Sequence, residues 1–85
     1  MKLFTQAETD VQTLYSIFKK LNAVQADKYA RTQRSTVGAV FAIDTGELIG
    51  GGMPRFEKAL KTLLAAGAII KSIIGRNTYY EFVGN

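Results

Sequence analysis

Apolar residues recur along this chain with differing periods, and each period predicts an element. Over residues 8 to 24, Val11, Leu14, Tyr15, Ile17, Phe18 and Leu21 share one broad helical face, with Gln12, Lys19 and Lys20 mostly opposite. Thr9 or Asp10 is expected to cap that helix, because a side-chain oxygen there can accept an otherwise unsatisfied N–H. Further on, Pro54 fits a first helical position, and Phe56, Ala59, Leu60, Leu63 and Leu64 recur at spacings of three and four. Arg55, Lys58, Lys61 and Thr62 take the opposite face of this second helix, and Gly67 supplies its end. From Ala68 to Ile74 the chain turns β-branched, and from Thr78 to Val83 it reads Thr-Tyr-Tyr-Glu-Phe-Val, so two strands are expected around a Gly75-Arg76-Asn77 turn.

The middle of the chain carries two overlapping patterns. Residues 25 to 36 are polar and hold Lys28, Arg31 and Arg34 at a spacing of three, which is a basic stripe if helical and a solvated connection otherwise. In the following segment Val37, Val40 and Phe41 fit helical spacing from a cap at Ser35 or Thr36, whereas Val37, Ala39, Phe41 and Ile43 alternate as a strand would. Gly50-Gly51-Gly52 then forms a loose turn. Glycines before a helix can cradle phosphate, but no Lys-Ser/Thr follows and no ribose-binding acid comes later, so neither a Walker loop nor a dinucleotide site is expected.

Composition narrows the chemistry. The 85 residues suit one domain spanning 1–85, and a chain this short buries only about two thirds of its unfolded surface, so modest stability is expected. Eleven Lys and Arg stand against seven Asp and Glu, a net charge of +4 that favours polyanionic partners. With no cysteine and no histidine, thiolate chemistry, disulfides, His-based proton transfer and zinc sites built on those residues are excluded. The carboxylates Glu8, Asp10, Asp27, Asp44, Glu47, Glu57 and Glu81 are scattered rather than paired around a reacting bond. An enzyme is therefore not expected, nor a cofactor or metal. No apolar run reaches signal-peptide or membrane-span length, so no membrane partner and a cytoplasmic location are expected.

The run Phe56-Glu57-Lys58-Ala59-Leu60-Lys61-Thr62-Leu63, the exit Leu63-x-x-x-Gly67-x-Ile69, and then Gly75-Arg76 with Tyr79-Tyr80-Glu81-Phe82 resemble the recognition helix and wing of winged helix-turn-helix regulators. The likeness spans roughly residues 52 to 83 and is that of a superfamily. It implies a mainly α fold with a C-terminal β-hairpin, a helix over 35 to 43 and a short helical turn over 45 to 49. It also implies a sequence-specific binder of duplex DNA, a small regulator of phage, plasmid or prokaryotic type acting as a homodimer. Arg55, Lys58 and Thr62 would face base edges or flanking phosphates, Lys61 a phosphate, and Arg76 with Asn77 the minor groove or backbone, with Lys71 beside them. Glu57 is expected to pair with Lys61. The triple glycine leaves fewer residues than usual before Phe56, which departs from the pattern. A plasmid partition or replication adaptor is one alternative. A protein-contact module using Tyr79 and Tyr80 is the other; otherwise one tyrosine is core and one half-buried. The expected core joins Phe56, Leu60, Leu63, Ile69 and Phe82 to Leu14, Phe18 and Leu21.

Overall fold

The computed structural model describes residues 5–24 and 31–83. Within them the elements run α1 (Gln6–Val24), β1 (Arg31–Gln33), α2 (Arg34–Thr45), α3 (Pro54–Ala65), β2 (Ile69–Ile74) and β3 (Asn77–Phe82). The chain is mainly helical, with a small antiparallel sheet ordered β1-β3-β2. The C-terminal hairpin is thus present, and a short strand ahead of α2 is added to it.

The start of α1, the end of α2 and both ends of α3 have local causes. α1 begins earlier than its apolar stripe suggests, because Thr5 and Glu8 form a reciprocal capping box: Glu8 Oε1 accepts from the Thr5 N–H at 3.1 Å, and Thr5 Oγ1 accepts from the Glu8 N–H at 3.1 Å. Neither Thr9 nor Asp10 caps it, since both lie inside the helix. α2 spans the predicted 35 to 43, so the helical spacing prevails over the alternation. The helical turn expected over 45 to 49 does not form. Gly46, at φ +80, ends α2 by donating its N–H to the Ala42 carbonyl, and the chain leaves the helix there.

The triple glycine is shaped rather than loose. Gly50 and Gly52 take φ +95 and +84, values that side chains disfavour, and Met53 follows at φ +48 before Pro54 opens α3. At its other end α3 closes in a Schellman motif, with Gly67 at φ +75, its N–H on the Leu64 carbonyl and the Ala68 N–H on the Leu63 carbonyl.

In the hairpin Ile74 faces Asn77, so the turn is Gly75-Arg76 and Asn77 is the first residue of β3 rather than part of the turn. Gly75, at φ +64, provides the left-handed position of this tight connection. β1 pairs through Arg31 with Glu81, Thr32 with Tyr80 and Gln33 with Tyr79. Arg31 and Arg34 therefore sit on a strand and at a helix start, not on one helical stripe; Lys28 lies outside the described residues.

The core sits between the helices and the inner face of the sheet. Leu14, Ile17, Phe18 and Leu21 of α1 meet Val37 and Phe41 of α2, Phe56, Leu60 and Leu63 of α3, and Ile69 and Tyr80 of the sheet. Phe18 meets Tyr80 edge-on at 5.8 Å, and Phe41 meets Phe56 at 5.5 Å. Phe82 is only partly buried, packing on Tyr15 at 5.5 Å where the sheet runs past the helices. Tyr80 is core, and Tyr79 is half-buried on the outer face beneath Arg31, 5.9 Å from its ring.

Candidate nucleic-acid interface

α3 turns one face to the core and the other to solvent. Phe56, Ala59, Leu60 and Leu63 are buried, whereas Lys58, Lys61 and Thr62 are exposed at the three- and four-residue spacings that place them together. Thr62 Oγ1 donates back to the Lys58 carbonyl at 3.1 Å, and its oxygen retains lone pairs with which to accept. Past the Schellman turn, Lys71 is exposed in β2, and Arg76 and Asn77 are exposed at the hairpin tip. Lys71 lies opposite Tyr80, on the sheet face that also carries Ile69 and meets the helices. Among the described residues, none of Lys58, Lys61, Lys71 and Arg76 is held in an ion pair.

Acidic side chains near α3 are, by contrast, mostly engaged. Glu57 pairs with Arg34, not with Lys61: the Arg34 guanidinium reaches it from the start of α2, lies 5.2 Å from the centre of the Phe56 ring and donates to the Tyr80 hydroxyl at 3.2 Å. Glu47 takes a part that its sequence position does not announce. Met53 offers no side-chain cap, and the Glu47 carboxylate reaches across the glycine turn to accept the Arg55 N–H at 2.8 Å and the Phe56 N–H at 3.1 Å. A negative charge at that position also complements the positive end of the helix dipole.

Arg55 is placed differently from the expectation. Its guanidinium donates from Nε and Nη2 to the two carboxylate oxygens of Asp10 at 2.9 and 2.7 Å, a bidentate clasp between α3 and α1. Asp10 is only 4% exposed. Hydrogen bonding to Asp10 raises the Arg55 pKa above its ordinary value; desolvation opposes this, and the charges of Asp10 and Glu47 add to it. A cation whose folded pKa is raised contributes stability that is complete at neutral pH and lost only as pH climbs through the raised value. Facing bases would require Arg55 to leave a buried carboxylate behind.

Sequence spacing brings out Lys58, Lys61 and Thr62 because they lie on one helix. It does not bring out Asp10 or Glu47, whose partners are 45 and eight or nine residues away. No group of three or more His, Cys, Asp and Glu residues that could hold a metal occurs among the described residues. No described helix is long and apolar enough to cross a membrane. Comparison with protein-family models, curated proteins and solved structures gives no match.

Proposed function

We propose that this chain is a winged helix-turn-helix protein that binds duplex DNA, with α3 as its reading helix and the β2–β3 hairpin as its wing. The observation that carries the reading is the order of elements, α-β-α-α-β-β, with β1 closing the hairpin into a β1-β3-β2 sheet and unpaired cations on both α3 and the hairpin tip. In this reading Lys58, Lys61 and Thr62 enter the major groove, where Thr62 can contact a base edge and the lysines phosphates or guanine. Arg76 and Asn77 reach the backbone or minor groove, and the exposed Lys71 of β2 adds a further phosphate contact. Arg55 serves as the clasp that fixes α3 against α1 rather than as a reader.

The biological role that fits is a small regulator of phage, plasmid or prokaryotic type, with a partition or replication adaptor as the alternative use of the same surface. A homodimer is part of the proposal. β2 is an outer strand bearing exposed Ile70, Ile73 and Ile74, and such an edge is suited to pairing with a second copy. Selection of duplexes from a random pool, followed by competition titrations, tests the reading: a defined site should emerge, and Thr62→Ala should relax preference at one position. Recovery of unselected sequence would contradict specific recognition.

A second reading has its own observation. Ile43 and Leu48 are each 81% exposed at and beyond the end of α2, and an aliphatic surface of this kind also suits a protein partner. Its mark would be binding that is insensitive to salt and to the loss of Lys58 and Lys61.

A further inference from the structure

A cleft of about 340 Å³ opens between the first turns of α2 and the entry to α3, lined by Arg34, Ser35, Gly38, Ala39, Met53 and Phe56, with Ile49 at its rim. That volume lies within the range of small-molecule sites, and the composition matches them, being an apolar wall with few polar groups. We propose that this cleft binds a small amphipathic monocarboxylate, with an apolar body of about six carbons against Phe56, Met53 and Ala39 and its carboxylate on Arg34 and the Ser35 hydroxyl.

The choice of anion follows from the lining. Among the described residues, Arg34 is the one ionised side chain on the cleft wall, and its partner Glu57 is not part of that wall. The guanidinium is already oriented by the Tyr80 hydroxyl, by Glu57 and by its position over the Phe56 ring, and its five N–H donors exceed those two acceptors. A fixed fork with donors to spare suits a carboxylate better than a neutral or cationic head.

The floor of the cleft is set by a missing side chain. Gly38 is buried within α2, where glycine weakens a helix relative to alanine, and its backbone does not require glycine, since no positive φ occurs there. A Cβ at this position would meet the Phe56 ring at 3.4 Å and the Met53 sulfur at 3.9 Å, ordinary contact distances. What glycine supplies is therefore room in front of Phe56 and Met53. The occupant would touch Arg34 and Phe56, which join α2, α3 and β3, so that its presence would bear on the posture of α3. The site stands whether or not the chain binds DNA.

The test is a titration of the full chain, followed by backbone amide NMR, with hexanoate, hexan-1-ol and hexylamine as probes. Saturable shifts centred on Ser35, Gly38, Ala39 and Met53 are expected with hexanoate, in the millimolar range suited to so small a molecule. Hexan-1-ol should bind at least about tenfold more weakly, the loss expected when a charge-assisted hydrogen bond is removed, and hexylamine should not saturate. Ala39→Leu, at an exposed helical position, should abolish the shifts while retaining the spectrum of a folded chain. Gly38→Ala should weaken hexanoate and raise the melting temperature together. Arg34→Gln should reduce hexanoate to the level of hexan-1-ol; if that variant does not fold, the comparison of probes on the unmodified chain decides. Equal binding of the acid and the alcohol, unsaturable shifts spread over Lys58, Lys61 and Lys71, or full binding by Ala39→Leu would overturn the proposal.

Discussion

Two carboxylates hold α3 where it is, and both do so from outside it. Asp10 clasps Arg55 from α1, and Glu47 caps the helix from across the glycine turn. Glu47→Ala should cost about 0.5–2 kcal/mol, the ordinary range for a lost cap, and each kcal/mol should lower the melting temperature of a domain this size by about 4–8 °C. An unchanged thermal midpoint by circular dichroism would mean that water satisfies the Arg55 and Phe56 N–H groups equally well. Leu60 is 2% exposed in the core, so Leu60→Ala should cost about 2–5 kcal/mol and bring so small a domain close to unfolding. Denaturant titration reads this directly, and an unaltered midpoint would show that the apolar face of α3 is not what anchors it. At this scale the core was legible, because Leu60, Leu63, Leu14 and Phe18 repeat with the helical period. The Thr5-x-x-Glu8 capping box is a local signature in the sequence, but the apolar stripe beginning only at Val11 drew the expected cap to Thr9 or Asp10 instead. Glu47 was not, since its partners are fixed only once the chain has turned through Gly50 and Gly52.

Among the elements, those with a long repeating pattern or a conformational stop were readable, and those defined by their partners were not. α3 and the hairpin each combine periodicity with a glycine or proline boundary, α1 is marked by its long apolar stripe, and the α2 pattern is decided by Gly46 closing a helix. β1 has only the residues Arg31, Thr32 and Gln33, too few to alternate visibly, and exists because β3 offers it an edge. The opposite edge belongs to β2, whose isoleucines Ile70, Ile73 and Ile74 remain exposed. If a second copy pairs there, Ile70→Lys should shift sedimentation velocity profiles from dimer toward monomer without altering the far-ultraviolet spectrum, because a charge on an outer strand opposes pairing. A wild-type chain that sediments as a monomer throughout would exclude this dimer.

For the molecule as a whole, the charge distribution separates the two readings of its function. Among the described residues, the carboxylates Glu57, Asp10 and Glu47 are occupied by Arg34, Arg55 and the N-terminus of α3, which leaves Lys58, Lys61, Lys71 and Arg76 without an ion-pair partner there. The order of elements was partly readable from residues 52 to 83, but which cations would stay unpaired was not, since Arg55 resembles its neighbours until α1 packs beside it. The most direct test of the central claim is the affinity for a duplex of random sequence measured by fluorescence anisotropy as a function of salt. Each phosphate neutralised contributes about −0.9 to the slope of log affinity against log salt, so engagement of all four cations predicts a slope of about −3 to −4 per chain. Arg76→Ala should lower its magnitude by about one. A slope near zero, or a slope that Arg76→Ala and Lys58→Ala leave untouched, would contradict DNA binding through α3 and the wing.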